Sequence, residues 1–332
     1  MMLANYIRFW INGRINFLKY LLKHNITMGI KWTGVFPAVT TKFTANDELD
    51  FPAFDLNIEA QLEAGAEGII LGGSLGEASV LTDEEKFGLL SHTLTVVNGR
   101  VPVLLNIAES TTKKAIEVAK KAESLGAQGL MLLPPMRYNA APDETLAFFG
   151  AIAESTSLPI MIYNNPVDYK IEVTLDMFEV LTKYDNIQAI KESTRDVSNV
   201  TRLINRFGDR FKIFTGVDPL AMESIVMGAH GWVAGLVDAF PRETVAIFRL
   251  IKENRIAEAL TIYRWFLPVL ELDIHAKLVQ YIKLAEVATG LGTEAVRAPR
   301  LPLSGAEREK VLKIINDSLA VRPELPVGSW GK

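Results

Sequence analysis

Short apolar runs alternate with longer stretches of helical periodicity along most of this chain. The runs are rich in β-branched residues and are apolar at nearly every position, which is typical of strands covered on both faces. Eight such runs lie in the body of the sequence, at residues 33–41, 68–73, 101–107, 129–135, 159–164, 187–193, 211–216 and 231–236. Strands that alternate with helices indicate βαβ units and a parallel sheet, and eight units close a (β/α)8 barrel. We therefore predict an α/β protein with a (β/α)8 TIM barrel.

Polar residues and glycines at the ends of the helical stretches support this prediction. Residues 82–85, Thr-Asp-Glu-Glu, fit a capping box, and Asp218 followed by proline fits an N-cap with proline at the first helical position. The pattern Gly-Ala-x-Gly precedes three strands, at residues 65–68, 126–129 and 228–231. Its first glycine suits a left-handed helix C-cap, and its small residues allow close packing. We interpret the repeat as recurring loop geometry within one barrel.

The helical pattern continues after the eighth predicted strand. Helical stretches lie at residues 242–253, 256–270, 273–290 and 305–319. Three of these stretches exceed what eight βα units need, so we predict a C-terminal helical extension. The predicted barrel core therefore covers residues 28–240, and residues 241–332 hold the last barrel helix and the helical region of the same domain.

The first 27 residues differ in composition from the rest of the chain. They contain no Asp or Glu, the first acidic residue is Asp47, and four basic residues interrupt an apolar, aromatic-rich stretch. An amphipathic surface helix, an organelle-targeting leader and translated upstream sequence are the three interpretations. Because Met28 directly precedes the first predicted strand, we favour an upstream start or a non-essential extension over residues 1–27.

Composition excludes several classes of function. The chain has 332 residues, a formal net charge of −4 and no cysteine. Mild acidity without a basic stripe argues against a nucleic-acid partner, and no apolar run is long enough to span a membrane. The lack of cysteine removes disulfides and thiol chemistry and favours a cytoplasmic location. The four histidines are scattered, so we expect no metal site and no cofactor.

Lys191 is the residue with the clearest chemical meaning. It ends the apolar run at residues 187–193, and lysine is rarely buried without a purpose. Desolvation disfavours the ammonium form, and lowering its pKa from near 10.4 to ~7 costs roughly 4–5 kcal/mol. A neutral amine is the nucleophile of Schiff-base catalysis on a carbonyl. The alternative is a lysine that extends to solvent at a strand end.

The other candidates lie where neighbouring strands end, because barrel active sites form at the C-terminal ends of the strands. The second strand ends in a glycine-rich turn in which Ser74 and backbone N–H groups could bind a carboxylate; a purely structural turn is the alternative. Tyr163 ends the fifth strand and could be a proton shuttle or a half-buried core residue. We expect Glu77 and Glu192 to be structural. The turn lacks the spacing of a dinucleotide-binding loop.

Taken together, these segments resemble the dihydrodipicolinate synthase / N-acetylneuraminate lyase family over residues 33–319. The matching segments are Gly-Ser-Leu-Gly-Glu at 73–77, Tyr-Asn-Asn-Pro at 163–166, Ile-Lys-Glu-Ser at 190–193 and Gly-Ala-His-Gly at 228–231. The resemblance implies a TIM barrel with a helical C-terminal region, usually a tetramer, so we expect a homotetramer or homodimer.

The resemblance also implies roles for individual residues. It implies that Lys191 forms a Schiff base with a 2-oxo acid and that Tyr163 shuttles protons. It implies that Ser74 and the Leu75 amide hold the substrate carboxylate. Further residues expected at the substrate are Gly73, Gly216, Val233, Asp168 and Tyr138.

Three departures from the synthase pattern bear on the reaction. The synthase has two threonines in the turn after its second strand, the second of which relays protons, and here that position is Leu75. The synthase has an arginine five residues after its tyrosine, which grips a second substrate's carboxylate, and here that position is Asp168. Residues 134–139 also depart from the synthase's paired-tyrosine motif. Because of these departures, we rank the synthase reaction below other reactions of the family.

An imine-forming core without that relay suits elimination from a 2-oxo acid that carries a leaving group two carbons from its carbonyl carbon. Residues 32–43 and the turn at 73–77 look most like the family's 1-pyrroline-4-hydroxy-2-carboxylate deaminases. We therefore predict a deaminating dehydration that yields 2-oxoglutarate semialdehyde and ammonia, with Asp168, Arg137 or Tyr138 at the distal end of the substrate. The alternatives are a 2-keto-3-deoxy sugar acid dehydratase or aldolase, then the synthase, and, outside enzymes, a 2-oxo-acid sensor barrel.

Overall fold

Eight parallel strands form the centre of the structure, a computed structural model that describes residues 29–326. The strands are β1 (Gly34–Pro37), β2 (Ile69–Leu71), β3 (Val103–Ile107), β4 (Gly129–Leu132), β5 (Ile160–Asn164), β6 (Ile187–Glu192), β7 (Lys212–Thr215) and β8 (Gly231–Ala234). Strands β2 to β8 pair in chain order, and β1 pairs with β8. A parallel bridge between Ala38 and Ile70 joins β1 to β2 and closes the ring. The predicted barrel is confirmed, and the predicted extension over residues 1–27 lies outside the described residues.

Helices connect the strands and then continue beyond the barrel. Those of the barrel are α1 (Phe51–Ala64), α2 (Asp83–Val97), α3 (Thr112–Leu125), α4 (Pro142–Ala153), α5 (Pro166–Tyr169), α6 (Leu175–Leu181), α7 (Ser198–Phe207), α8 (Ala221–Val226) and α9 (Pro241–Lys252). Those of the extension are α10 (Ile256–Leu270), α11 (Leu278–Thr289) and α12 (Gly305–Ala320). Within residues 29–326, none of the helices is both long and apolar enough to cross a membrane.

The predicted helix ends are largely confirmed. The Thr82 hydroxyl accepts a hydrogen bond from the Glu85 N–H at 3.2 Å, and the Glu85 carboxylate accepts one from the Thr82 N–H at 2.9 Å, so the capping box is present. Gly65 and Gly126 end α1 and α3 with φ of 91° and 96°, in the left-handed conformation that glycine adopts without strain.

The prediction of an N-cap at Asp218 is wrong. Its carboxylate accepts hydrogen bonds from the N–H groups of Gly235 and Leu236, at 3.1 and 2.7 Å, and from the Trp232 indole at 2.9 Å. Three donors from the end of β8 satisfy this buried carboxylate better than the single free N–H of a short helix. Asp218 therefore ties the end of β7 to the end of β8.

The single helix predicted over residues 273–290 is also wrong in its first part. A short 3₁₀ turn, Glu271–Ile274, comes first, then His275 is extended, and α11 begins only at Leu278. The His275 ring accepts a hydrogen bond from the Lys277 N–H at 3.2 Å and stacks on Tyr281, with ring centroids 4.5 Å apart. A local side-chain acceptor for a backbone donor competes with helix formation, and this accounts for the break.

Two fully buried ion pairs attach α11 to the end of the barrel that holds the loops after the strands. The Lys283 ammonium pairs with the carboxylate of Glu77, which adopts a left-handed backbone conformation with φ of 56°. The Lys42 ammonium lies 3.0 Å from the carboxylate of Glu286. All four side chains have no exposed surface, so each charge depends on its partner for compensation.

Replacing Lys283 with methionine is expected to destabilise the protein by about 3–5 kcal/mol, because it leaves the Glu77 carboxylate buried without its main counter-charge. Urea unfolding measures the change. Lys313→Met is the matched control, since Lys313 forms an exposed i,i+4 pair with Asp317 in α12, worth less than about 1 kcal/mol. Similar losses for the two variants would contradict the importance of the buried pair.

Candidate active site

A pocket opens at the C-terminal ends of the strands, the end at which barrel active sites form. The predicted site residues that line it are Gly73, Ser74, Leu75, Tyr163, Asp168, Lys191, Gly216 and Val233. Tyr138 does not line this pocket and is 56% exposed, and Arg137 is exposed beside it. Of the three residues expected at the distal end of the substrate, Asp168 lines the pocket, and contacts of Tyr138 or Arg137 with the substrate stay a prediction.

Lys191 lies inside the barrel, where parallel pairing brings it next to Tyr163. The two residues are register partners on β6 and β5, and the Lys191 ammonium is 4.0 Å from the centre of the Tyr163 ring. Lys191 is only 7% exposed, so it does not extend to solvent. Burial lowers the pKa of Lys191, although the charges of Tyr169 and nearby carboxylates oppose this effect. The arrangement makes Lys191 suitable as an amine nucleophile.

Tyr163 is suited to donating protons. It is 8% exposed, and its hydroxyl accepts a hydrogen bond from the Asn165 side-chain amide at 3.0 Å. Burial raises the pKa of Tyr163 to about 12, although the hydrogen bond from Asn165 opposes the shift. The phenol therefore keeps its proton near neutral pH.

Sequence analysis missed Tyr169, the last residue of α5. Its hydroxyl forms a hydrogen bond with that of Ser74, and its ring packs edge-on against Tyr163 with centroids 5.6 Å apart. The side chain of Leu75, at the position of the synthase's second threonine, contributes an apolar wall to the pocket and is 5% exposed. A proton relay through the side chain at position 75 is therefore absent, but the hydrogen-bonded hydroxyls of Ser74 and Tyr169 lie beside Tyr163. The signal in the sequence was an aromatic residue one position after Asp168.

Asp168 and Arg195 form a pair of opposite charges at the rim of the pocket. The Arg195 guanidinium is 3.8 Å from the Asp168 carboxylate, which also accepts a hydrogen bond from the Asn165 amide at 2.7 Å. Arg195 adopts a left-handed conformation, with φ of 66°, in the loop after β6. The charge of Asp168 was interpreted without this cation, because Asp168 lies in α5, after β5, whereas Arg195 lies in the loop after β6.

A second carboxylate, Asp273, reaches the pocket from the 3₁₀ turn between α10 and α11. One of its oxygens is 3.4 Å from the N–H of Asp218, and the other occupies space left by Gly235, where a side-chain carbon would come within 2.7 Å of it. Burial raises the pKa of both Asp273 and Asp218, and for Asp273 the neighbouring Asp218 charge raises it further. Sequence analysis missed Asp273 because it was assigned to an uninterrupted helix.

The sequence predicts no metal site, and the possible ligands in this chain are its acidic residues and histidines. Among the residues that the structure describes, no group of three or more is arranged to hold a metal ion.

Glu77 and Glu192 have structural surroundings, as expected. Glu192 accepts hydrogen bonds from the Thr194 N–H at 2.8 Å and the Asn199 amide at 2.9 Å, and burial raises its pKa.

A closed (β/α)8 barrel with a buried lysine on its sixth strand and an adjacent tyrosine on its fifth defines the class I, imine-forming barrel lyases. Residues 31–318 match the Dihydrodipicolinate synthetase family, and the chain belongs to this family of enzymes. It is 35% identical over 270 residues to the 4-hydroxy-tetrahydrodipicolinate synthase of Exiguobacterium sibiricum, covering 81% of this chain and 91% of that protein.

Solved structures give the same result. The 4-hydroxy-tetrahydrodipicolinate synthase of Methylacidiphilum fumariolicum SolV matches with a TM-score of 0.82 and 29% identity, over 87% of this chain and 97% of that one. A dihydrodipicolinic acid synthase family protein of E. coli K12, in complex with pyruvate, also matches with a TM-score of 0.82, at 25% identity, over 87% and 99%. The predicted family is confirmed. The relatives bear the name of the synthase, which sequence analysis ranked below the deaminase.

The lowered pKa of Lys191 is expected to appear in the pH dependence of imine formation with pyruvate. The neutral amine is the reactive form, so the rate should rise with pH and level off below the ordinary value of 10.5. Borohydride reduction followed by mass spectrometry measures the rate, and Lys191→Ala should give no adduct. A rate that keeps rising through pH 10.5 would show that burial does not shift this amine.

Gly216→Ala is expected to slow adduct formation about 10- to 100-fold, because positioning errors near 1 Å have effects of that size. A side-chain carbon at Gly216 would lie 2.5 Å from Cε of Lys191 and would displace the amine. Gly88→Ala is the control, since a side-chain carbon there meets nothing within 4 Å. Equal trapping rates in the two variants would show that Gly216 does not position Lys191.

Proposed function

We propose that Lys191 forms a Schiff base with a small 2-oxo or cyclic 2-imino acid. Tyr163 supplies and recovers protons during imine formation, and Ser74 with the Leu75 amide binds the substrate carboxylate. The observation that carries this proposal is the buried Lys191 amine, held 4.0 Å from the Tyr163 ring at the floor of the pocket. Desolvation favours the neutral amine, and the adjacent phenol is the proton donor that formation of the imine requires.

We further propose that the reaction is deaminating dehydration of 1-pyrroline-4-hydroxy-2-carboxylate to 2-oxoglutarate semialdehyde and ammonia. The charges of three carboxylates act on Lys191: Asp168, Asp218 and Asp273. Such surroundings disfavour a second substrate that carries its own carboxylate, and they favour one substrate with an amine and a hydroxyl. Elimination needs no second carbonyl compound.

The proposed sequence of steps begins with attack of the Lys191 amine on the ring imine carbon, C2. The C2–N bond of the ring then breaks, and the ring nitrogen leaves as an open-chain amine, so that C2 is bound to Lys191 as a protonated imine. This imine acidifies C3. Loss of the C3 proton gives an enamine, which expels the C4 hydroxyl as water. Proton shifts convert the terminal amine to an imine, and hydrolysis releases ammonia and the product from Lys191.

The second candidate is the synthase reaction that the names of the relatives indicate. Arg195 is the observation that favours it, because a guanidinium at the rim can bind the carboxylate of a second substrate. Its pairing with Asp168 reduces that capacity. Dehydration of a 2-keto-3-deoxy sugar acid shares the elimination step and is the other alternative within enzymes.

The proposed reaction is tested by ammonia release from purified protein supplied with 1-pyrroline-4-hydroxy-2-carboxylate. We expect release by the wild type and none by Lys191→Ala, with both proteins folded by circular dichroism. A parallel assay supplies pyruvate with aspartate semialdehyde, an aldehyde that bears its own carboxylate. Pyruvate consumption in the second assay without ammonia in the first would replace the deaminase with the synthase. Borohydride trapping of pyruvate distinguishes both from a sensor without imine chemistry.

A further inference from the structure

The proposed elimination needs a group that accepts the C3 proton, and Tyr163 is poorly suited to this role. Its burial holds the proton on the phenol, with a pKa of about 12. Lys191 is consumed as the imine. The acceptor is therefore another side chain that lines the same pocket and carries a group able to accept a proton.

Asp273 meets these requirements through its position. The break between α10 and α11 turns it towards the barrel, and it lines the pocket together with Lys191 and Tyr163. Among residues 29–326, its carboxylate accepts one long hydrogen bond, from the Asp218 N–H at 3.4 Å, and Gly235 leaves space for it. Asp218 has three donors of its own and is engaged in holding β8, so it is not free for chemistry.

We propose that Asp273 is a catalytic residue that takes the proton from C3 of the Lys191-bound substrate and returns it to the C4 hydroxyl. In the first half, the C3–H bond breaks, its electron pair forms the enamine and the proton passes to Asp273. In the second half, the C4–O bond breaks as the enamine pair forms the C3–C4 double bond. The oxygen leaves with the Asp273 proton as water, and Asp273 is again a carboxylate.

The electrostatic surroundings of Asp273 support both halves of this cycle. Burial raises its pKa well above the usual value for aspartate, as do the charges of Asp218 and Asp168, whereas the Lys191 charge lowers it. A carboxyl group of this kind binds a proton more readily than an exposed aspartate and still releases it to a leaving hydroxyl.

This role for Asp273 rests on the proposed function, because it requires a 2-oxo or 2-imino acid with a hydroxyl on C4. One carboxyl group that serves both carbons requires a bound conformation in which a C3 hydrogen and the C4 hydroxyl lie on the same side of the C3–C4 bond.

Hydrogen exchange of pyruvate tests the first half independently of the natural substrate. The imine of pyruvate with Lys191 exchanges its methyl protons in D₂O only if a base removes them, and nuclear magnetic resonance follows the loss of the methyl signal. We expect Asp273→Asn to retain borohydride-trapped adduct within about threefold of the wild type while its exchange rate falls about 10²- to 10⁴-fold. Glu271→Gln, an exposed change in the same 3₁₀ turn, should leave both unchanged.

Three outcomes would overturn the assignment. Asp273→Asn that exchanges pyruvate protons at the wild-type rate would show that another group is the base. Asp273→Asn that forms no adduct would show that Asp273 serves the Lys191 amine instead. Wild-type protein that forms the adduct without exchange would show that no base is in place. Exchange that depends on Asp273, in a wild type that releases no ammonia, would instead contradict only the deaminase.

Discussion

Burial of one amine is the constraint on which this site depends. Lys191 loses its charge more readily than an exposed lysine because it is buried. The pairing of β5 with β6 sets it inside the barrel beside the Tyr163 ring. The barrel supplies that seclusion through apolar strands on both sides. The nearby carboxylates come from segments that follow the strands. Their charges oppose the effect of burial and so limit how far the pKa of the Lys191 amine falls.

The barrel itself was predictable from the sequence, because its signals are local. Continuous apolar runs, the capping box at residues 82–85 and the glycines at 65 and 126 each act within a few residues, and the structure contains them all. The core pair of the site was predictable for the same reason, since a lysine or tyrosine that ends a buried strand is conspicuous. The N-cap predicted at Asp218 was wrong because the donors that its carboxylate binds lie at the end of β8, well beyond the next turn of the chain.

The rest of the pocket could not be predicted, because it depends on which loops meet in space. Tyr169 and Arg195 follow different strands and come together only when the barrel closes. To predict that Asp273 lies at the pocket, one would have to know that the helical pattern breaks at His275. There a ring nitrogen accepts the hydrogen bond of a backbone N–H. Hydrophobic periodicity carries no information about such a break, since apolar spacing continues through it.

The buried ion pairs of α11 have a consequence for how selectivity can change in this fold. Each barrel strand is paired with two neighbours in a closed ring, so a change in one strand bears on the strands beside it. The turn that presents Asp273 lies outside that ring, and the helix after it, α11, is held by the buried ion pairs of Lys283 and Glu286. Substitutions in this turn can therefore change one wall of the pocket while the ion pairs of α11 and the imine-forming pair, Lys191 and Tyr163, stay the same. Such a division makes one scaffold readily adaptable to new substrates.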